Sequence, residues 1–345
     1  MRLIAGLDIG SRKISLVIGK INPVKKTGLS NGVNDQRDLE IIDFQKVDSK
    51  GVRQGIIVDL AKVVNSILEL KQNLAVKKID SVFASINGKT LRSHFNRAAL
   101  NLSPRGEEIR QSHLDKLLRR ASSIGLPLNR QIIYRVPLEY IVDGEGEIAN
   151  PLRMTATRLE VHLHIISAKI GEVENLTKSI NYSNWEVEGM IPVPLACQCA
   201  LEQDGRSLLL DIGSQTINLG LSSNNILGFC RTFLCKGNLP ECLGGVKKSI
   251  EKIGDYDRIV ISGGRALTDG LIEKIEEIFE KPTKIGIPRV RLQKDDSNLE
   301  EKEIVDNPVY TTAIGLVKYG LRKRKERAEA KGFVKRIKRW MEGYF

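Results

Sequence analysis

Leu3-Ile4-Ala5-Gly6-Leu7-Asp8-Ile9-Gly10-Ser11 and Leu208-Leu209-Leu210-Asp211-Ile212-Gly213-Ser214 each carry an apolar run into the same tetrapeptide, Asp-Ile-Gly-Ser. A second run follows each copy, Ile14 to Ile18 and Ile217 to Leu221. Short apolar runs on either side of a glycine turn read as strands, so each copy is a β-hairpin whose turn holds one carboxylate and one glycine. Two such turns facing each other across a cleft can grip a phosphate tail. Backbone N–H groups freed by the glycine point at the anion, and Ser11 and Ser214 add hydroxyls. Asp8 and Asp211 suit Mg²⁺, held mostly through water because this small hard cation keeps much of its hydration shell.

A chain of 345 residues is long for one compact core and predicts two lobes or more. Its 41% hydrophobic and 28% charged residues are ordinary for a soluble globular protein. No stretch approaches about 18 uninterrupted apolar residues, so no membrane span is expected. Met1-Arg2-Leu3-Ile4 enters a strand pattern at once, which leaves no room for a signal peptide. Five cysteines without framework spacing read as buried thiols in a reducing cytosol. Cys197-x-Cys199 with Cys230, Cys235 and Cys242 makes a poor metal set. His162-x-His164 puts both rings on one face of a strand and reads as packing. Arg119-Arg120 and Glu107-Glu108 read as solvated charges.

Positive charge is concentrated at the C-terminus. From Leu316 to Phe345 there are eleven Lys/Arg against three Glu, a net +8 of the chain's +12. On a helical wheel Trp340, Phe333, Tyr344, Ile337, Met341, Val334 and Phe345 fill one arc of about 140°. Lys335, Arg336, Lys338, Arg339, Glu342 and Gly343 fill the other side. Aromatic residues on one face and cations on the other mark an interfacial helix for an anionic lipid surface rather than an arm for nucleic acid. Thirteen residues make about 20 Å of helix, too short to cross a hydrocarbon core of about 30 Å. The run from Arg322 to Gly332 reads as a solvated, charged tether. One tail binds weakly, because ordering the helix at about 1–2 kcal/mol per residue offsets much of the gain. Firm attachment therefore calls for many tails on one assembly.

Between these features, apolar residues at 60, 63, 64, 67, 70 and 74 predict a helix over 59–74, and Ser81 to Ile86 predicts a strand. From Asn87 to about Thr157 the chain changes character, with a helix near 111–124 and a strand pair through 132–136 and 158–166, an inserted α+β module. A helix at 170–181, a strand at 186–191 and a helix through Cys197 and Cys199 lead to the second Asp-Ile-Gly-Ser turn. Arg258-Ile259-Val260-Ile261-Ser262-Gly263-Gly264-Arg265-Ala266-Leu267 predicts a buried strand, a double glycine and then a helix whose N-terminus favours negative charge. Asn307 to Leu316 starts a helix rich in small residues that can close the base of the cleft.

With these segments in this order, the chain resembles the bacterial cell-division FtsA family of the actin-like ATPase superfamily. Gly6 to Ile14 resembles the family's first phosphate motif, and Arg53-Gln54-Gly55 its Arg-x-Gly segment before the first helix. Pro137 to Gly144 with Arg158 to His162 resembles the inserted subdomain that marks the family. Gly263 to Leu267 fits the adenosine motif, Asn307 to Leu316 the second connecting motif, and the tail the membrane-targeting helix. The resemblance implies an α/β, actin-like (ribonuclease H-like) two-lobed fold with a small inserted α+β subdomain and a C-terminal amphipathic helix. It places residues 1–86, 166–200 and 308–321 in lobe 1 (subdomain 1A), 87–165 in the insertion (1C) and 201–307 in lobe 2 (2A). It also sets 322–332 as a charged linker and 333–345 as the membrane helix.

It further implies ATP and Mg²⁺ as ligands. Gly10, Ser11, Arg12, Lys13, Gly213, Ser214, Gln215 and Thr216 would take the phosphates, with Gly263, Gly264, Arg265 and Leu267 on adenosine. Filaments at the cytoplasmic face of the membrane, at the division site, and tethering of the tubulin-like FtsZ ring are the activities implied. Two departures qualify this. The second motif reads Asp211-Ile212-Gly213-Ser214-Gln215-Thr216-Ile217-Asn218 where the family has Asp-Ile-Gly-Gly-Gly-Thr-Thr-Asp, which points to weak or absent hydrolysis. Only about 25 residues, 231–257, stand where the family has a whole subdomain (2B), which removes one adenine wall and the FtsZ docking surface. The runner-up reading is the actin-like platform of type IV pilus machinery or a similar membrane-associated assembly. A small-molecule kinase would need an acidic base and a substrate insertion, and neither is visible.

Overall fold

The computed structural model describes residues 2–21, 39–251, 253–288, 290–292 and 307–342. The chain opens with β1 (Arg2–Ile9), β2 (Lys13–Ile21) and β3 (Leu39–Asp48), followed by the short pair β4 (Val52–Arg53) and β5 (Ile56–Ile57), α1 (Leu60–Asn73) and β6 (Ser81–Ile86). Ile4, Leu7, Ile14, Leu16, Val17 and Ile18 are all fully buried, as expected for strands covered on both faces. Asp59 caps α1, its carboxylate accepting the Lys62 N–H at 3.1 Å.

An inserted module comes next: β7 (Arg92–Asn101), β8 (Glu107–Glu108), α2 (Gln111–Ser122), β9 (Arg130–Val142), β10 (Glu145–Ile148), β11 (Thr155–Ala156) and β12 (Arg158–Lys169). Its four-stranded sheet runs β10-β9-β12-β7, and α2 buries Leu114, Leu117 and Ala121 against it, so the module has its own core. The chain then returns through α3 (Ile170–Asn181), β13 (Glu186–Pro192) and α4 (Val193–Leu201). Every residue of α4 is buried, which fits a helix apolar all round.

The second half contains β14 (Arg206–Ile212), β15 (Thr216–Ser223), β16 (Ile226–Leu234), α5 (Leu239–Ile250), β17 (Arg258–Ser262), α6 (Leu271–Phe279), β18 (Thr283–Ile285) and β19 (Arg291–Leu292). A 3₁₀ turn at Pro308–Tyr310 leads into one long helix, α7 (Thr311–Glu342). The lobe-1 sheet has the order β13-β6-β1-β2-β3-β19 and the lobe-2 sheet β16-β15-β14-β17-β18. In each lobe three antiparallel strands in hairpin order continue into two parallel ones. The two Asp-Ile-Gly-Ser turns therefore occupy the same place in two copies of one topology. α4 and α7 cross between the lobes, close enough that a Cβ on Gly315 would lie 1.8 Å from the Ala196 carbonyl oxygen.

Several expectations are corrected. β19 lies within the stretch assigned to lobe 2 but pairs with β3 of the lobe-1 sheet, Arg291 opposite Glu40. Cys235 and Cys242 are not separate buried thiols: the turn from β16 into α5 brings their Cα atoms to 5.4 Å and they form a disulfide. Cys197, Cys199 and Cys230 are buried and free. The segment from Arg322, expected as a tether, is helical, because α7 continues through it. No helix among the described residues is long and apolar enough to cross a membrane.

The insertion meets lobe 2 at a polar joint. Ser93 of β7 donates to the Cys230 carbonyl at 3.0 Å, and its oxygen accepts the Cys230 N–H at 3.1 Å. His164 of β12 points Nδ1 at the Leu227 carbonyl of β16 at 2.8 Å, with Phe95 stacked on the ring. A carbonyl only accepts, so Nδ1 carries the proton of a neutral imidazole. His162 instead faces Glu139 at 2.6 Å. The two rings serve separate packing contacts.

Candidate functional site

The two hairpin turns face one another across a cavity of about 390 Å³. Each turn is closed alike: the Gly10 N–H donates to the Lys13 carbonyl at 3.0 Å and the Gly213 N–H to the Thr216 carbonyl at 2.9 Å. The Arg53–Gly55 bend fastens both. The Gly55 N–H donates to Ser11 Oγ at 2.9 Å, and the Gln54 N–H to Gln215 Oε1 at 2.7 Å. A segment with no charge of its own in the cleft thus sets the spacing between the turns.

Asp8 and Asp211 stand at the ends of β1 and β14 with Lys13 beside them. Ser85 donates to Asp8 Oδ1 at 2.7 Å, and Asn218 Nδ2 to Asp211 Oδ2 at 3.1 Å. Burial, and then the neighbouring Asp8, pushes Asp211 up to about 6. Burial also raises Asp8, opposed by Lys13 and the Ser85 hydrogen bond. Lys13 is pulled down to about 8 by burial against the attraction of both aspartates. Its Nζ donates to the Val309 carbonyl at 2.6 Å and lies 5.7 Å from the Tyr310 ring, which Lys46 flanks at 5.8 Å.

On the opposite wall Gly263 has φ +89°, and a Cβ there would lie 2.7 Å from Asp211 Oδ1. Only glycine fits this close approach at left-handed φ. The Gly263 N–H donates to the Pro308 carbonyl at 3.1 Å and the Arg265 N–H to the Ile212 carbonyl at 3.1 Å, tying this turn to the start of α7 and to the second hairpin.

Of the residues singled out from sequence, Asp8, Gly10, Ser11, Arg12, Lys13, Asp211, Gly213, Ser214, Thr216, Gly263, Gly264 and Arg265 line the cavity. Gln215 and Leu267 do not. Gln215 is turned to the Gln54 N–H, and Leu267 is 55% exposed away from the cavity wall. The helix expected directly after the double glycine is displaced: α6 starts only at Leu271, so its N-terminus adds no dipole at Gly264. Val309 and Thr312, from the segment expected at the base of the cleft, also line the cavity, as do Lys46, Asp48, Asn87 and Val193, which were not anticipated. Asn87 could have been noticed, as a polar residue ending a buried strand whose Nδ2 reaches Thr216 Oγ1 at 3.3 Å.

The chemistry of this donor set fits a nucleotide tail with Mg²⁺. Asp8 and Asp211 supply hard oxygens for the cation, and Arg12, Lys13, Lys46 and Arg265 line the same cavity as positive charges suited to phosphates. Among the described residues no cluster of three or more His, Cys, Asp or Glu side chains could cage a metal. The metal would accordingly be held by Asp8 and Asp211 through water and by the ligand's own phosphates. Of the residues expected from sequence to meet a membrane, Phe333, Val334, Lys335, Arg336, Ile337, Lys338, Arg339, Trp340 and Met341 fall on the last turns of α7, and Tyr344 and Phe345 lie outside the described residues.

Two duplicated lobes, hairpin turns facing a shared cleft and helices crossing beneath it define the actin-like ATPase fold. Chain similarity agrees and goes further. Residues 88–167 match the SHS2 domain inserted in FtsA. The whole chain resembles cell division protein FtsA. It is 24% identical to that of Pseudomonas aeruginosa over 433 residues, covering 100% of this chain and 98% of the relative. To that of Borreliella burgdorferi it is 25% identical over 392 residues, covering 92% and 90%. The first alignment is longer than this chain of 345 residues, so that relative carries segments this chain lacks. Among solved structures, the PilM–PilN type IV pilus biogenesis complex superposes with a TM-score of 0.66 at 15% identity, covering 92% of this chain and 98% of that one. That likeness shows the fold alone.

Proposed function

We propose that this chain is a divergent FtsA-like scaffold of cell division, which binds ATP with Mg²⁺ in the cleft and self-associates at the cytoplasmic face of the membrane. The observation that carries the reading is the SHS2 insertion of FtsA on an actin-like body whose two Asp-Ile-Gly-Ser turns converge on one cavity. Bound nucleotide would place its phosphates between the turns, against Lys13 and the backbone N–H groups of Ser11 and Ser214. Slow or absent turnover follows from Asn218, which stands where the family has a carboxylate and is spent bridging Asp211 and the Thr232 hydroxyl at 2.9 Å. Between β16 and β17 only α5 is described, so FtsZ is not expected to dock by the family's usual surface. Other division-ring proteins and anionic lipids are the partners this leaves.

ATP binding by the intact chain, followed calorimetrically, should weaken roughly tenfold or more in Lys13→Ala, which removes a charge-assisted contact. Equal affinity in both proteins would remove the nucleotide from this cleft. Sedimentation with vesicles of anionic phospholipid tests the tail. The full chain should pellet, a chain ending at Lys331 should stay in solution, and added salt should release the full chain. A truncated chain that still pellets overturns the anchor. The likeness to the pilus complex favours a second reading, an actin-like platform of a type IV pilus or other membrane-associated assembly machine without ATPase activity, for which a lipid-binding tail is not expected.

A further inference from the structure

α7 stays on the body well past the point where its sequence becomes charged. Thr312 in its first turn lines the cavity, and Gly320 packs against the Phe83 ring. One turn further on, Arg324 closes over the lobe-1 sheet. Its Nε donates to Glu188 Oε1 at 2.9 Å, Nη2 donates to Glu188 Oε2, and Nη1 donates to the Leu3 carbonyl at 2.6 Å. Glu188 also accepts the Ser81 hydroxyl at 3.1 Å and has Arg327 at 3.7 Å. The two side chains are only 21% and 16% exposed. A forked guanidinium on a sheltered carboxylate is stronger and far more directional than an exposed pair such as Lys323–Glu326. Leu3 and Glu188 belong to different strands, β1 and β13, with β6 between them, so the clasp grips the sheet itself.

We infer that the Arg324–Glu188 clasp is the exit guide of the C-terminal helix, fixing the direction in which its last turns leave the body. A slack tether would let the tail sweep a wide cone. Held at Arg324, the eighteen residues to Glu342 form about 27 Å of helix that can only bend. Insofar as 333–345 binds lipid, a reading this consequence rests on, the body meets the membrane in one orientation. Protomers so aligned would present the same faces to one another.

The clasp can be tested without lipid. Spin labels on Tyr182→Cys, an exposed site beside α3, and Lys338→Cys report the distance between body and tail in the full chain. One narrow distribution is expected, roughly doubling in width in both Glu188→Ala and Arg324→Gln as the tail is freed to sweep. Lys323→Ala, which breaks the exposed pair with Glu326 and the contact with the Tyr319 ring but leaves the clasp intact, should leave it narrow. A broad distribution in the starting protein, or unchanged width in both clasp variants, overturns the inference. Pelleting of the same proteins with anionic vesicles reads the lipid assignment separately. If none pellets, the anchor fails while the distances still decide the clasp.

Discussion

Gly315→Ala should destabilise the protein by about 3 kcal/mol or more, although glycine to alanine inside a helix ordinarily stabilises by about 0.5–1 kcal/mol. The added Cβ would lie 1.8 Å from the Ala196 carbonyl oxygen and 2.5 Å from its carbon. Neither side can yield cheaply. Ala196 belongs to α4, whose residues are all buried, and Ala313, Ile314, Leu316 and Val317 pack α7 into the same core. Separating the helices would open the seam between the lobes, directly under the cavity that Thr312 and Val193 line. Gly244→Ala is the matched comparison: it lies inside α5, where a Cβ meets nothing within 4 Å, so it should gain about 0.5–1 kcal/mol. Urea midpoints at unchanged slope measure both. A neutral or stabilising shift at Gly315 would refute the close crossing.

Acidification should separate His164→Gln from the starting protein by about 3 kcal/mol between pH 6.5 and 4. Burial pulls His164 down to about 4, only partly offset by its hydrogen bond to Leu227. The unfolded chain takes up this proton near pH 6.5 and the folded chain only near 4, so the stability from a neutral His164 is lost as pH falls through that window. Asp211 acts in the opposite sense. Raised to about 6 from 3.8, it is protonated first in the folded state, so its contribution is full below 3.8 and is lost as pH rises through 6. The two oppose each other, and the starting protein alone would show little of either. Subtracting its unfolding free energy from that of His164→Gln isolates the histidine, and the difference should grow in favour of the variant on acidification. A pH-independent difference would mean that the insertion does not hold His164 neutral against β16.

Much of the framework was legible because it is encoded locally. The double hairpin, the 3.6-residue period of α1 and the run of α3 from 170 to 181 all depend on neighbours a few residues away. The two glycine turns could be read for the same reason, as each is closed by a bond between residues three apart. Leu267 and Gln215 were misplaced because a turn's chain direction does not tell which side chains enter the cleft. Lys46, Asp48 and Asn87 went unnoticed because their roles come from strands and turns that meet only in the fold.

The charged stretch after Leu321 shows the division most plainly. Its composition describes a solvated segment, and Arg324 is placed by Glu188, 136 residues away in the chain, and by the Leu3 carbonyl, 321 residues away. Likewise Cys235 finds Cys242 through a turn, and β19 crosses to the first lobe's sheet. Residue order alone establishes two copies of a glycine-turned hairpin that carries one aspartate each, since hydrophobic period and turn chemistry are short-range. Folding decides which side chains face the cavity and where the last helix is held, because those contacts join residues that no local pattern connects.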